Sequence, residues 1–509
     1  MQAPTEFLIG GNNDCQVMQN VKMSNRHGLI TGAVGTGKTI TLQTLAESFS
    51  KIGVPVFLTD MKGDVSGLAQ TAEPHPNIDE RRETINIDDY QARSFPTVFW
   101  DCYAEKGHPF CTSVSEFGPL FLSSLLDLNA TQTAALHSCF AVADVNGWLL
   151  LDLKDLRLML IWTEENMDTL KSRYGNISKS DLGAIQQELI LLDEQSAKLF
   201  LGGPRVALKD LIHNDLYGNG IVNIFDASKI VQQSPKLYAA LLLWLLSELF
   251  ENLPEVNDLK KPKFVLLFDE ALLLFDGASK ELIDKIEQVV RLIRPKGVGI
   301  YFVAQSPLDI PKQIRDQLDL KIQHAVPAYR SKDNSTEKII AQTFSKIINI
   351  DIERSITELS IGEALVSVLN IDGQVTPVER VLIRPPESHI GEITDKERAE
   401  YLKCSPYNGR YDPDLDREPA YEILRERAAT NQLADQGTTH ETTQQRLAQI
   451  KVRQEARSRQ TSRGQKMRSS NRNLRHPQTQ GIPTEKTATS IGSQLGRSII
   501  RGVLGSISK

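Results

Sequence analysis

A glycine-rich segment followed by lysine and threonine constrains this chain more than any other part of its sequence. The segment fits the pattern G-x-x-x-x-G-K-[ST] at every fixed position and consists of Gly32, Ala33, Val34, Gly35, Thr36, Gly37, Lys38 and Thr39. The residue pattern predicts a short apolar strand before it, over residues 27–31, and a helix after it, over residues 40–50. A strand, a loop and a helix in this order are the setting in which the pattern binds phosphate.

The residue types of this segment explain the chemistry that we expect from it. Glycine adopts backbone angles that are closed to other residues, so the N–H groups can turn inward and form an anion nest at a positive helix terminus. We expect Lys38 to reach the β- and γ-phosphates and the Thr39 hydroxyl to bind Mg²⁺. The expected cofactors are therefore ATP and Mg²⁺. The alternative is a glycine-rich turn that opens a helix by chance.

A short charged loop, residues 60–64, follows a second predicted buried strand over residues 54–59. It lies at the carboxyl end of that strand, where open α/β sheets place residues that contact ligands. Asp60 or Asp64 is expected to orient water or magnesium, and Lys62 to face nucleic acid. The alternative is a solvated polar loop.

A third apolar strand, predicted over residues 263–268, ends in Asp269 and Glu270. Downstream of a phosphate-binding loop, Asp269 is expected to hold magnesium through water. Glu270 is then expected to polarise the attacking water as a general base. The alternative is an acidic strand end with a structural role only.

A further strand, predicted over residues 300–304, ends at Gln305, which is placed to sense the γ-phosphate. Arg291 and Arg294 precede this strand, at the end of a helix predicted over residues 279–293. Either arginine could reach the nucleotide of a neighbouring subunit and stabilise charge in the transition state. The alternative for both is a favourable interaction with the helix dipole.

The composition fits a folded protein of the reducing cytosol. Of the 509 residues, 40% are hydrophobic, which suits about two to four globular domains. The five cysteines show no C-x-x-C spacing, so neither a zinc site nor a disulfide framework is indicated. The N-terminus shows no secretory pattern, and the longest apolar run, residues 237–246, is shorter than the roughly 20 residues that span a bilayer. We expect a cytoplasmic protein without a membrane partner.

The predicted elements divide the chain into a core in two parts, an insertion, an extension and a tail. The core comprises residues 1–101 and 216–385 and is interrupted by a helical insertion over residues 102–215. Within the insertion, apolar residues recur at helical spacing over residues 116–128, 130–145, 153–163 and 181–200. Pro385-Pro386 is expected to mark the exit from the core, and a C-terminal extension follows over residues 386–430.

The tail, residues 431–509, is predicted to be largely disordered, because polar residues and arginine dominate it. Ten lysines and arginines lie between residues 441 and 477, against Glu441 and Glu455. Such an arm could bind DNA phosphates without sequence preference or dock on the acidic body of another subunit, and a tail that only keeps the protein soluble is the third alternative. The absence of aromatic residues among the basic ones argues against stacking on single strands. The apolar pattern over residues 491–507 predicts a terminal amphipathic helix that packs on protein rather than on a membrane.

Several of these segments together resemble the HerA/FtsK superfamily of P-loop ATPases and, more closely, the YjgR-type proteins with a HerA-like C-terminal domain. The segments are Gly32–Thr39, residues 60–64, Phe268-Asp269-Glu270-Ala271 and Gly297–Pro307, and the likeness extends to Asn25–Ile30, Asp416-Arg417-Glu418 and Tyr421-Glu422. It thus covers most of residues 5–430.

The resemblance implies an α/β fold with a RecA-like, additional-strand P-loop core and a mostly parallel sheet. It also implies a ring, usually a hexamer, with nucleotide at the subunit interfaces, and relatives that move double-stranded DNA through the ring. By the same resemblance, Lys38 and Thr39 bind phosphate and magnesium, and Asp269 and Glu270 are the Walker B pair. Gln305 is the sensor, and Arg294 or Arg291 is the finger that acts on a neighbouring subunit.

The leading hypothesis is a ring-forming ATPase that couples hydrolysis to movement on double-stranded DNA. The alternative is an ATP-gated oligomeric scaffold that recruits a protein partner without translocating DNA. A small-molecule kinase is less consistent with the sequence, because Glu270 suits activation of water rather than transfer of phosphate to a metabolite.

Overall fold

The computed structural model describes residues 4–411 except residues 176, 195–199, 203–205, 257–258, 277–279, 327–339, 342 and 345–350. The predictions for the basic tail, for the amphipathic helix at residues 491–507 and for the extension beyond residue 411 lie outside the described residues.

One twelve-stranded sheet organises the described part of the chain. Its strands are β1 (Glu6–Gly11), β2 (Gln16–Asn20), β3 (Gly28–Thr31), β4 (Val56–Asp60), β5 (Thr97–Asp101), β6 (His108–Pro109), β7 (Val222–Asp226), β8 (Phe264–Phe268), β9 (Val298–Ala304), β10 (Leu320–His324), β11 (Glu363–Ser367) and β12 (Glu379–Ile383). They lie in the order β2-β1-β12-β11-β10-β3-β9-β8-β4-β7-β5-β6. The strands from β10 to β6 in this order are parallel, and the other four extend the sheet in antiparallel fashion.

Helices connect these strands and pack against both faces of the sheet. They are α1 (Lys38–Lys51), α2 (Pro76–Ile85), α3 (Val114–Leu125), α4 (Ala130–Asn146), α5 (Leu153–Glu165), α6 (Met167–Tyr174), α7 (Lys179–Glu194), α8 (Leu208–Leu211), α9 (Ser228–Gln233), α10 (Pro235–Asn252), α11 (Leu272–Phe275), α12 (Lys280–Ile293), α13 (Lys312–Arg315), α14 (Ile352–Glu358) and α15 (Asp395–Cys404). A mostly parallel sheet covered by helices confirms the predicted α/β fold class. Within the described ranges, no helix combines the length and the apolar character needed to cross a bilayer.

The central strands are buried along their whole length and are mostly apolar, because helices cover both faces of the sheet. Successive side chains of a strand point to opposite faces, and β9 shows the result. Ile300 and Phe302 join the core on the face that carries α10, whereas Tyr301 and Val303 join the core on the face that carries α1. The same alternation in β8 and β4 makes the two cores continuous along the sheet.

Helices α3 to α7 lie between β6 and β7 in the chain and pack on one another. Their apolar stripes share one hydrophobic core with α10 and with one face of the sheet. Two of the helices begin with complete capping boxes, at Asn129 and at Asp152. Each cap satisfies N–H groups that a helix terminus otherwise leaves without partners.

Two polar stretches to which the sequence assigned no element contain regular structure. Residues 12–23 contain β2, and residues 72–95 contain α2. Helix α2 is almost entirely polar, and only Ile78 and Ile85 are buried. Proline at its first position and the His75 side chain, which accepts from the Asn77 amide at 3.2 Å, define its start. Helical periodicity is weak where so little of a helix is buried.

The prediction that the chain leaves the core at Pro385-Pro386 is wrong. Residues 383–388 are all buried. The segment after β12 runs along α1, and Ser388 forms an isolated bridge with Thr71. Further on, Tyr407 and Tyr411 pack on the ring of Trp100. Prolines therefore mark the end of a strand here, not the end of the core.

Buried His27 joins the start of β3 to α12 and to β9. Its Nε2 lies 2.9 Å from the carbonyl oxygen of Val290, and its Nδ1 lies 3.0 Å from the amide nitrogen of Ile300. A carbonyl oxygen can only accept, so Nε2 donates and Nδ1 accepts. These two bonds fix the neutral imidazole. Burial lowers the pKa of His27 to about 4.

We expect a His27→Gln variant to show a weaker dependence of stability on pH in mild acid than the wild type. A histidine with a lowered pKa contributes full stability above its unfolded pKa of about 6.5, and the contribution is lost as the pH falls towards 4. The stability advantage of the wild type over the variant should therefore shrink by up to about 3 kcal/mol across this window. Urea unfolding at several pH values measures it. A His75→Gln variant, altered at an exposed position, is the control, and a constant advantage at all pH values would contradict the prediction.

Candidate functional site

The glycine-rich segment forms the loop between β3 and α1, at the carboxyl edge of the parallel strands. Gly32, Gly35 and Gly37 have positive φ angles of 152°, 79° and 115°, which side-chain-bearing residues rarely adopt. Gly37 is the N-cap of α1. The predicted strand, loop and helix are thus all present, and the loop wraps around the positive end of α1.

The Lys38 side chain lies across this loop. Its Nζ donates to the carbonyl oxygens of Gly32 and Ala33, both at 2.9 Å. The Thr36 hydroxyl donates to the same Ala33 oxygen at 2.8 Å. Burial lowers the pKa of Lys38, and the carboxylates of Glu270 and Asp269 oppose this effect. The ammonium group is therefore close enough to both acids to interact with them electrostatically.

Residues distant in sequence support the loop from behind. The Ala33 amide donates to the Ala325 carbonyl at 3.0 Å, and the Gly362 amide donates to the Thr36 carbonyl at 3.0 Å. A Cβ at Gly32 would lie only 2.5 Å from the Cβ of His324. The loop is therefore held between the end of β10 and the start of β11.

His324 is a supporting residue that the sequence analysis missed. Its Nδ1 donates to the Glu363 carbonyl at 3.0 Å, which leaves Nε2 to accept from the Thr41 hydroxyl at 2.8 Å. Burial lowers its pKa to about 4, with Lys38 contributing in the same direction. A neutral imidazole thus links α1 to β11 beneath the phosphate-binding loop.

Asp269 and Glu270 follow β8 at the same edge of the sheet. The Asp269 amide donates to the Thr59 hydroxyl at 2.9 Å, and the Glu270 amide donates to Asp269 Oδ1 at 2.9 Å. Burial raises the pKa of Asp269 to about 6, and Glu270 adds to this. Glu270 has a φ of 45°, a conformation that costs energy outside glycine and is found at functional sites.

Gln305 follows β9, which lies between β3 and β8 in the sheet. Its amide donates to Asp309 Oδ2 at 3.1 Å, and its side chain is exposed. The carboxyl ends of three adjacent parallel strands therefore bring the phosphate-binding loop, Gln305 and the acidic pair together.

Arg291 and Arg294 lie at the opposite, amino end of β9. Arg291 is exposed in the last turn of α12, and the Arg294 carbonyl accepts from the Asn25 side chain at 3.3 Å. Burial and neighbouring Arg26 lower the pKa of Arg294. Because β9 separates them from the phosphate-binding loop, neither arginine belongs to the same cluster as Lys38.

The two aspartates of the loop after β4 have different surroundings. Asp60 Oδ1 accepts from the amides of Gly63 at 2.7 Å and Lys62 at 3.2 Å, so this carboxylate holds its own loop. Burial raises the pKa of Asp60 to about 7. Asp64 instead lies near Thr39, whose hydroxyl lowers the pKa of the Asp64 carboxyl against the larger, raising effect of burial. Of the two candidates, Asp64 is the one beside the phosphate-binding loop.

The oxygen atoms near Thr39 suit a magnesium ion. The Thr39 hydroxyl contacts Asp64, and the negative charge of Asp64 helps to raise the pKa of Asp269. Mg²⁺ prefers hard oxygen ligands and is held by one or two carboxylates together with phosphate oxygens and water. The residues present therefore fit both a nucleotide phosphate and its magnesium ion.

The fold was compared with those of solved structures, and that of the plasmid coupling protein TrwB is similar. The plasmid coupling protein TrwB in complex with a non-hydrolysable GTP analogue matches with a TM-score of 0.50 and 14% identity, over 76% of this chain and 93% of TrwB. VirB4 of Thermoanaerobacter pseudethanolicus matches with a TM-score of 0.48 and 17% identity, over 78% of this chain and 99% of VirB4. Proteins of curated function gave no match.

The family assignment rests on the sequence itself. The model of the helicase HerA-like C-terminal family matches residues 6–509, which include every candidate site residue. The fold shared with TrwB agrees with this match. The chain therefore belongs to the helicase HerA-like C-terminal family of P-loop proteins.

Proposed function

We propose that this chain is a Mg²⁺-dependent ATPase. One observation carries the proposal: the adjacent strands β3, β9 and β8 end at one edge with Lys38, Gln305 and the pair Asp269 and Glu270. A phosphate cradle, a polar sensor and two acids in this arrangement are the parts that nucleotide hydrolysis requires. The family membership and the fold shared with TrwB support it.

Each side chain then has a defined task. The backbone N–H groups of Gly35 to Thr39 hold the phosphates, and Lys38 neutralises the charge that develops on them. Thr39 and Asp269 are the residues that would hold the magnesium ion, and Asp64 supports Thr39. A bound magnesium ion would neutralise phosphate charge.

Glu270 is the general base in this proposal. Its carboxylate accepts a proton from the water that attacks the γ-phosphate, and Gln305 orients that water or senses the phosphate. Glu270 is positioned for this by its hydrogen bond to Asp269 and by its left-handed backbone conformation.

The nucleotide is further proposed to lie between subunits of a ring, with six as the expected number. In this arrangement Arg294 or Arg291 reaches the phosphates of a neighbour. Their location at the far end of β9 supports a role on a neighbour, because their own phosphate-binding loop lies at the other edge of the sheet.

Double-stranded DNA is the proposed substrate of the motor. The support is the family membership, the fold of TrwB, a plasmid coupling protein, and the ten basic residues between residues 441 and 477. Phosphate contacts by such residues give affinity that falls with salt. An ATP-gated scaffold that recruits a protein is the alternative.

For the organisation of the chain we propose a core that is interrupted by a helical insertion over residues 102–215, as predicted from the sequence. The packing of α3 to α7 on one another supports a separate helical element. The C-terminal extension differs from a free appendage, because its first residues pack on α1.

The test is phosphate release from ATP with and without double-stranded DNA, at low and moderate salt. We expect DNA to raise turnover several-fold at low salt and less at moderate salt. A Lys38→Ala variant should lose turnover in both conditions, because the charge that balances the phosphates is removed. Turnover that ignores DNA would contradict the motor and favour the scaffold, and turnover retained without Lys38 would contradict the assigned site.

A further inference from the structure

The proposed hydrolysis site fixes the direction in which a nucleotide must lie. Glu270 and Gln305, at the ends of β8 and β9, define where the γ-phosphate is attacked. The triphosphate then follows the loop after β3. The nucleoside then lies on the side of β3 that faces away from β9, over the carboxyl end of β10 and the amino end of β11. Neighbouring strands of a sheet are about 4.8 Å apart.

The loop between α14 and β11 occupies this side. The Gly362 amide donates to the Thr36 carbonyl at 3.0 Å, and a Cβ at Gly37 would lie 3.3 Å from the Gly362 Cα. The loop is therefore in direct contact with the phosphate-binding loop. Next to this contact, the Ile361 side chain is 76% exposed.

The Ile361 loop, residues 359–362, is held by hydrogen bonds and an ion pair. The Ser360 amide donates to Glu363 Oε2 at 2.7 Å, and the Glu363 amide donates to the Ser360 carbonyl at 3.0 Å. Arg380 forms an ion pair with the same Glu363 carboxylate at 2.7 Å. An exposed apolar side chain on such a loop loses little freedom when a ligand covers it.

Arg81 supports the loop from α2. A Cβ at Gly362 would lie 2.6 Å from both Nη atoms of Arg81, and Gly362 has a φ of 81°. Arg81 Nη1 also donates to the Ile383 carbonyl at 3.4 Å. The guanidinium group therefore packs against the Gly362 backbone, while the neighbouring Ile361 side chain stays exposed.

We propose that Ile361 forms the surface on which the base of the bound nucleotide lies. This inference rests on the proposed function, because the direction of the nucleotide follows from it. The partner is the flat face of a purine, which an aliphatic side chain covers by apolar contact. The contact distinguishes a nucleoside triphosphate from inorganic tripolyphosphate, but Ile361 itself does not distinguish ATP from GTP, since it makes no hydrogen bond with the base edge.

The experiment compares ATP, GTP and inorganic tripolyphosphate as ligands of the full chain in the presence of Mg²⁺, by titration calorimetry. An Ile361→Ala variant should raise the Kd of both nucleotides by about fivefold and leave the Kd of tripolyphosphate unchanged. The matched control is Ile371→Ala, which alters another exposed isoleucine, 66% accessible, beyond the far end of β11. It should change none of the three constants.

The outcomes separate this inference from the proposed function. Unchanged nucleotide constants in Ile361→Ala overturn the base surface while the ATPase stands. An equal rise in the Kd of tripolyphosphate also overturns the base surface, because the effect would then lie in the phosphate-binding loop. An altered assembly size with unchanged constants assigns Ile361 to a subunit contact instead. A wild type that binds none of the three ligands removes both the proposed function and this inference.

Discussion

A Glu270→Gln variant is expected to hydrolyse ATP about 10²- to 10⁴-fold more slowly than the wild type, while binding ATP with a similar Kd. Glutamine has the shape of glutamate but cannot accept the proton of the attacking water at neutral pH. The loss should therefore appear in kcat and not in nucleotide binding. Lys38→Ala should also weaken ATP binding, since the proposed contact of Lys38 with the phosphates is made in the ground state as well as in the transition state.

Glu270 is a better position than Asp269 for a kinetic test of the proposed mechanism. Asp269 accepts a hydrogen bond from the Glu270 amide, so its replacement would disturb the local structure as well as the proposed magnesium site. Glu270 follows it at the open edge of the sheet, where the side chain is half-buried. A change confined to kcat is thus interpretable for Glu270.

The matched control is Glu73→Gln, the same substitution at an exposed glutamate. It should retain wild-type turnover. Rates are measured as phosphate release at saturating ATP, and binding is measured separately by calorimetry. A Glu270→Gln variant within tenfold of the wild-type rate would exclude Glu270 as the general base and direct attention to another acid, first of all Asp64.

The parts of the site that depend on local spacing could be predicted from the sequence. A glycine pattern before Lys38 and two acids after an apolar strand are recognisable because each motif is continuous in the chain. The order of β3, β9 and β8, which brings these motifs together, was not predicted and comes from the structure. The roles of Gln305, Arg291 and Arg294 stay predictions, because no contact in one chain tests them.

The support beneath the phosphate-binding loop could not be predicted. His324 contacts Thr41 across 283 positions of sequence, and Gly362 contacts Thr36 across a similar distance. No periodicity or spacing connects such residues, because antiparallel and parallel pairings far apart in the chain decide which side chains meet. Gly362 in particular reads as an ordinary turn residue until its φ of 81° and its contact with Arg81 are known.

The incorrect exit at Pro385-Pro386 has the same origin. Two prolines in succession are typical of a chain that leaves a sheet, and the charged residues Arg384 and Glu387 beside them suggest solvent. Both charges are instead buried, because they have partners on α1 and elsewhere. Buried charge that is paired at long range cannot be distinguished from surface charge in a sequence.

A Glu47→Ala variant is expected to lower the free energy of unfolding by about 3–5 kcal/mol. Glu47 lies in α1 and is fully buried. Its carboxylate accepts from Arg384 Nη2 at 2.6 Å, from the Ser388 hydroxyl at 2.6 Å and from the amides of Glu387 and Ser388 at 3.0 and 2.9 Å. Removing it leaves a buried guanidinium group and two amides without this acceptor.

The loss of stability in Glu47→Ala comes from the buried polar groups that keep no partner, and a second variant tests this origin. A Glu47→Leu, Arg384→Met double variant removes both charges and should recover part of the stability that Glu47→Ala loses, because a buried ion pair adds little over an apolar pair. The control is Glu358→Ala, which breaks an exposed ion pair with Arg354 at 2.8 Å and should leave stability nearly unchanged. Urea unfolding measures all three.

The hydrogen bonds of Glu47 with residues 384–388 also stabilise α1. Glu387 also pairs with Lys51 at 2.7 Å and with Arg93 at 3.2 Å, so one carboxylate connects three segments.

A Glu47→Ala variant should therefore lose nucleotide affinity together with stability, since α1 carries the proposed phosphate-binding residues at its first turn. If stability falls while the Kd of ATP stays at the wild-type value at a temperature where the variant is folded, the network stabilises the fold without positioning the site. A loss of less than about 1 kcal/mol would instead show that Arg384 finds enough compensation from Glu387 at 3.2 Å.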